Sequence, residues 1–255
     1  MNTPSISLID KICGVPMISG SFNAQILITL TAHYRHIALN AFTRIADYLS
    51  PDVIEAPVQH RNAALGIEYP EYAMLSAQEE LAVNEAIRAI ITIVPEWEIY
   101  FSLPVNYRKL SAGKNMVSLT NHHIPQVIFL GDKAFKSEHW LAEVLIHENA
   151  HVWLGMLCEM NHFYEATQEK YYTLPSGTKN KDARGVIFAS HFAACTLVYY
   201  RRKKTNGCIS SEEAERLFFL EKYYAGCMTQ LMEMKELTET GKGIVRMMGE
   251  EIHYG

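Results

Sequence analysis

LAEVLIHENAHVWLGML, residues 141–157, is an apolar run with two histidines and two glutamates set into it. Leu141, Val144, Leu145, Val152, Leu154 and Leu157 recur at helical spacing, and Ser137 ahead of Glu138 marks a start, so the pattern predicts a helix over about 138–158. Within it, HENAH occupies 147–151. His147 and His151 are four residues apart and therefore share a helix face, where two imidazoles can converge on one ion. Glu148 sits beside them. Placing two histidines and a carboxylate in so apolar a helix is costly unless they are paired or bind a metal.

The flanking sequence sets the fold class. Upstream, WEIYFSLPV (97–105), KNMVSLT (114–120) and PQVIFLG (125–131) are short apolar or alternating runs divided by Ser, Gly, Asn and Pro, which predicts three strands of one small sheet. Helical periodicity predicts a long first helix over 22–49, in which His33 and His36 read as ordinary helix histidines, and a second over 76–94 that opens on a Ser76/Glu79 capping box. The Pro-, Asn- and Gly-rich stretch between them reads as loop, as does 160–184. GVIFASHFAACTLVYY (185–200) is too long for a strand and reads as a buried helix, with Arg201 to Lys204 as its solvated, dipole-complementing end. Ser210 and Glu213 cap a helix running to about Leu237, and a short helix follows the break at Thr238–Gly241. The result is an α+β chain, predominantly helical. Its expected core is zincin-like (gluzincin-like), with a small, mainly antiparallel sheet packed on the HExxH helix. It reads as a single catalytic domain over 1–255: an N-terminal helical lobe (1–95), the sheet with the metal-binding helices (96–205), and C-terminal helices (206–255).

Composition excludes several functions. The 255 residues carry a formal charge of −5 and are 49% hydrophobic, so no broad basic face exists for nucleic acid. No run reaches the length of a membrane span, and MNTPSISLIDKIC lacks the layout of a signal peptide; the expected location is cytoplasmic. Five scattered cysteines without a CxxC pair read as reduced packing residues, and Met228, Met232, Met234, Met247 and Met248 as core filler.

Two helix histidines leave a metal short of protein ligands. His191, the one ionisable residue inside the apolar 185–200 run, is the leading third candidate, its alternative being a core histidine bonded to backbone. Glu159, His162, Glu165, His122 and His123 compete with it. Glu143, one turn before His147, is either an acceptor for an imidazole N–H or a surface carboxylate. Spacing alone points to a zinc hydrolase with Glu148 as general base, and Tyr171, Tyr172 or His162 as oxyanion donor.

A wider pattern is VIFLGD (127–132), LAEVLIHENAH (141–151), YYTLPSGTKNKDARG (171–185), His191 seven residues after Arg184, and LTETGKGI (237–244). Over roughly 115–250 it resembles the HExxH-motif peptide β-hydroxylases encoded beside ribosomally made, post-translationally modified peptides, departing from them at Ser176 and Gly185. The resemblance implies an iron(II)/2-oxoglutarate-dependent dioxygenase that hydroxylates a β-carbon of a precursor peptide. By carry-over, His147, His151 and His191 would be the metal ligands. Arg184 would hold the distal carboxylate of 2-oxoglutarate, as a guanidinium binds carboxylate bidentately, unless it is tied instead to Asp182. The peptide would add to a sheet edge supplied by 126–130. A zinc metallopeptidase and a catalytically silent peptide-binding partner are the alternatives; oligomeric state is open.

Overall fold

The computed structural model describes residues 11–111, 116–165 and 170–254. The N-terminal reading over 1–10, the first residues of the 114–120 strand and part of the 160–184 loop lie outside the described residues. The chain divides into two compact units, one of Gln25–Met160 and one of Met1–Ala24 with Asn161–Gly255.

The first unit holds the sheet. Helix α1 (Ala24–Leu39) is shorter than its periodicity predicts, because Asn40 enters the left-handed region (φ +45°) and a 3-10 turn follows at Ile45–Leu49. His33 on it is exposed, and the His36 ring meets Tyr48 edge-on at 5.2 Å. Helix α2 (Pro51–Ala64) occupies a stretch read as loop. Pro51 sits at the helix start, where its missing N–H costs nothing, and Ile54, Val58 and Asn62 bury one face at four-residue spacing. Helix α3 (Ala77–Ile93) opens on the expected box: Ser76 Oγ accepts from Glu79 N while Glu79 accepts from Ser76 N.

Four strands form a mixed sheet in the order β1-β2-β4-β3: β1 (Tyr72–Met74), β2 (Asn106–Leu110), β3 (Ser118–Thr120) and β4 (Val127–Leu130). β1 is antiparallel to β2, β2 parallel to β4, and β3 antiparallel to β4 with Ser118 opposite Leu130 and Thr120 opposite Ile128. Two of the expected strands are present. The third, over 97–105, is replaced by helical turns from Pro95 to Phe101: Trp97 and Tyr100, three apart, bury together while Ile99 stays exposed. The strand begins only at Asn106, in a polar stretch that carries no apolar alternation. β4 is buried along its whole length and lies between β2 and β3, so 126–130 is an interior strand and the sheet edges are β1 and β3.

Helix α4 (Glu138–Met160) is the motif helix, and both sheet and α3 pack against it. Trp153 meets Tyr100 edge-on at 5.0 Å, and Tyr100 O accepts from Trp153 Nε1 (3.0 Å) and Asn149 Nδ2 (3.3 Å). Its C-terminal end is tied to α1 by a buried fork: Arg35 donates to both oxygens of Glu159 at 2.8 and 2.7 Å, and also to Tyr48 O and Gln126 Oε1. At the sheet's rim Gly131 is required, since a Cβ there would stand 2.3 Å from Met116 O.

The second unit is helical. Helix α5 (Ala183–Thr205) is capped by Asp182, whose carboxylate accepts from Gly185 N at 2.7 Å, and packs against α6 (Ser211–Glu233) and α7 (Glu239–Tyr254). The Ser210/Glu213 box opens α6 as expected. The basic end of α5 is an anchor rather than a solvated terminus: Arg201 donates to Ile252 O at 2.8 Å and Lys203 pairs with Glu213. Met228, Met234 and Met248 are core, but Met232 is 69% exposed. Cys195 and Cys227 are buried, whereas Cys13 and Cys208 are exposed. Among the described residues no helix is long and apolar enough to cross a membrane.

Candidate metal centre

α4 brings His147 and His151 together as their spacing requires. Their rings stand 4.5 Å apart at 83°, both half-buried. Glu148, about 100° further round the helix, points inward toward the sheet and is only 3% exposed. Its Oε1 accepts from Ser118 Oγ at 2.6 Å and lies 3.9 Å from His147 Nε2. Its other oxygen, Oε2, is buried and has no hydrogen-bond partner among the described residues. A buried carboxylate oxygen left in that state is costly, and a cation or a cation-bound water would relieve the cost. Imidazole and carboxylate are donor types that divalent first-row ions take, and this face supplies two imidazoles with a carboxylate beside them. Glu143 is also buried, which removes its surface-carboxylate alternative.

Edge strand β3 runs along this helix, and Ser118 is the residue that the sequence reading did not single out. Its signal was present: in Ser118-Leu119-Thr120 the polar residues alternate with one apolar residue, and Leu119 packs on Leu110, Ile124, Val127 and Phe129 on the opposite side. The turn that follows is closed by Ile124 N donating to Asn121 O at 2.8 Å. Its backbone is held by α2, with Asn62 Nδ2 and Arg61 donating to His123 O at 2.8 and 3.1 Å.

The remaining expected residues have other surroundings. His191 is fully buried in α5 and its Nε2 donates to Pro16 O at 2.9 Å, a carbonyl being able only to accept; Cys195 Sγ is 3.7 Å away. Burial pushes the His191 pKa down to about 4, so the ring is neutral, with Nδ1 as a buried acceptor that has no partner among the described residues. This is the backbone-bonded core histidine named as the alternative. Arg184 lies half-exposed, 3.6 Å from Asp182 Oδ2, the pairing named as its alternative. Asp182 in turn accepts from Tyr164 OH at 3.0 Å. Among the competitors, Glu159 is engaged by Arg35. Tyr172 donates to Glu236, and Tyr171 is exposed. His191 and Arg184 belong to the second unit and HENAH to the first. Among the described residues no three His, Cys, Asp or Glu side chains are gathered into a set that could hold a metal. The structure therefore brings two of the three expected imidazoles together.

Neither a family model nor a curated protein matches the chain.

Proposed function

We propose that the HENAH face of α4 holds a divalent metal and that the protein is a metal-dependent peptide-modifying enzyme. One observation carries this: Glu148, buried beside two converging imidazoles, has one oxygen held by Ser118 and the other without a partner. The finer reading is hydroxylation of a β-carbon in a ribosomal precursor peptide, dependent on iron(II) and 2-oxoglutarate, and its support is the multi-part sequence resemblance. When bound, iron(II) with 2-oxoglutarate would activate dioxygen, the oxidant for C–H hydroxylation, with the keto acid decarboxylated to succinate. In this reading His147 and His151 would donate ring lone pairs to the ion, and Glu148 would set the charge beside it. The peptide adds to the free edge of β3, which runs beside the motif helix, rather than to 126–130.

A zinc metallopeptidase is the second reading, and one distance favours it. With Oε1 3.9 Å from His147 Nε2, the Glu148 carboxylate can reach a water held at the imidazoles and take its proton. Purified protein assayed with iron(II), 2-oxoglutarate and candidate peptides separates the two. Succinate release that requires iron supports the hydroxylase, while zinc-dependent cleavage abolished by Glu148→Gln supports the peptidase. The absence of metal binding by the wild-type chain overturns both.

A further inference from the structure

The face of α4 that carries His147 and His151 continues one turn on to Gly155, and there it meets the turn after β3. A Cβ placed on Gly155 would stand 3.7 Å from the Cβ of His122. Strand geometry explains the approach. Ser118 reaches Glu148, so Thr120, two residues on, faces the same helix, and the chain then passes over Gly155 at His122. Two buried polar atoms of this layer lack partners among the described residues, Glu148 Oε2 and Thr120 Oγ1. Of these, Glu148 Oε2 belongs to a carboxylate whose other oxygen lies 3.9 Å from His147 Nε2, and a buried oxygen left unmet beside an imidazole points to a bound species.

We propose that His122 is the third imidazole of the centre, completing a His147–His151–His122 set within the Gln25–Met160 unit. The proposal rests on the metal reading above and assigns the ligand that this reading leaves short. The His122 ring now lies against His123, with centroids 3.9 Å apart. The backbone beneath it is fixed by the Asn121–Ile124 bond and by the donors of Arg61 and Asn62. Joining the other two imidazoles at an ion would require the His122 ring to turn away from His123 toward the α4 face. Ser118 holds Glu148 in place.

The test uses the full chain and Zn(II) itself, titrated in competition with a chromophoric chelator, together with the visible absorption of the Co(II) form. His122→Ala should weaken Zn(II) binding by at least about 10–100-fold, the loss typical of outer-sphere partners and a floor for a ligand. It should also alter the Co(II) bands, whereas His123→Ala should stay within about twofold of wild type on the same scale. His122→Gln, which keeps a polar side chain in the turn, repeats the measurement should the alanine variant fail to fold. Unchanged Zn(II) affinity and Co(II) bands in a folded His122 variant overturn the proposal while leaving the metal reading intact. A wild-type chain that binds neither ion overturns the metal reading, and the proposal with it.

Discussion

Helices α4 and α5 are each 23 residues long, and each sets histidine into a largely buried apolar sequence, but to opposite ends. α4 keeps two imidazoles half-buried and parks a carboxylate with a partnerless oxygen beside them. α5 encloses one imidazole completely and spends its N–H on the Pro16 carbonyl. The α4 arrangement is poor for stability and suited to a ligand. The α5 arrangement is a core contact in which one ring nitrogen is bonded to backbone, and its helix is further tied by the Asp182 cap and the Lys203–Glu213 pair. A histidine's surroundings, not its presence in an apolar helix, distinguish the two uses.

Four variants break or sharpen this contrast. His191→Ala should show the largest loss of stability without metal, about 2–4 kcal/mol from the cavity and the deserted Pro16 carbonyl, read by urea unfolding. His151→Ala should cost the metal-free chain under about 1 kcal/mol, because a half-buried ring has little packing to lose. The same variant should lose more than roughly 100-fold in Zn(II) affinity. If His151→Ala instead destabilises the metal-free chain as much as His191→Ala, the two helices do not differ as argued. Ser118→Ala removes the hydroxyl that donates to Glu148; with that buried carboxylate then short of its donor, a loss of about 1–3 kcal/mol is expected in the metal-free chain. Added Zn(II) should recover part of it, which differential scanning calorimetry with and without the ion can follow.

The smallest effect concerns pH. Burial alone would raise the Glu213 pKa, but the Lys203 ammonium and the Ser210 N–H outweigh it and hold the carboxyl below its usual value. Its folded pKa being lowered, the contribution is fully present above the ordinary glutamate range and is lost as pH falls below about 4.3 and through the folded value. Acid unfolding of Glu213→Gln should accordingly show a weaker pH dependence in that window.

Features encoded within a few residues were legible. The capping boxes at Ser76 and Ser210 stand as read, because a cap needs only its own first turn. The pairing of His147 with His151 also follows from the helical repeat alone. Longer-range preference overrode local pattern elsewhere. Pro51 and Pro57 made 51–64 look like loop, yet Ile54, Val58 and Asn62 gain enough burial to hold a helix there. The alternation of 97–105 gave way to helical turns that seat Trp97 and Tyr100, the latter under Trp153. The free edge could not be located from sequence either, since strand order depends on pairings between segments far apart in the chain.

From its residues alone this chain specifies a helix-rich α+β protein with two imidazoles on one helical face, since periodicity and spacing are properties of consecutive positions. Only the tertiary structure decided that Ser118 meets Glu148, that His122 comes to Gly155 and that His191 closes on Pro16. Those contacts join residues 30, 33 and 175 positions apart, and they exist because burial of the sheet and helices brings distant backbone together, which no local pattern encodes.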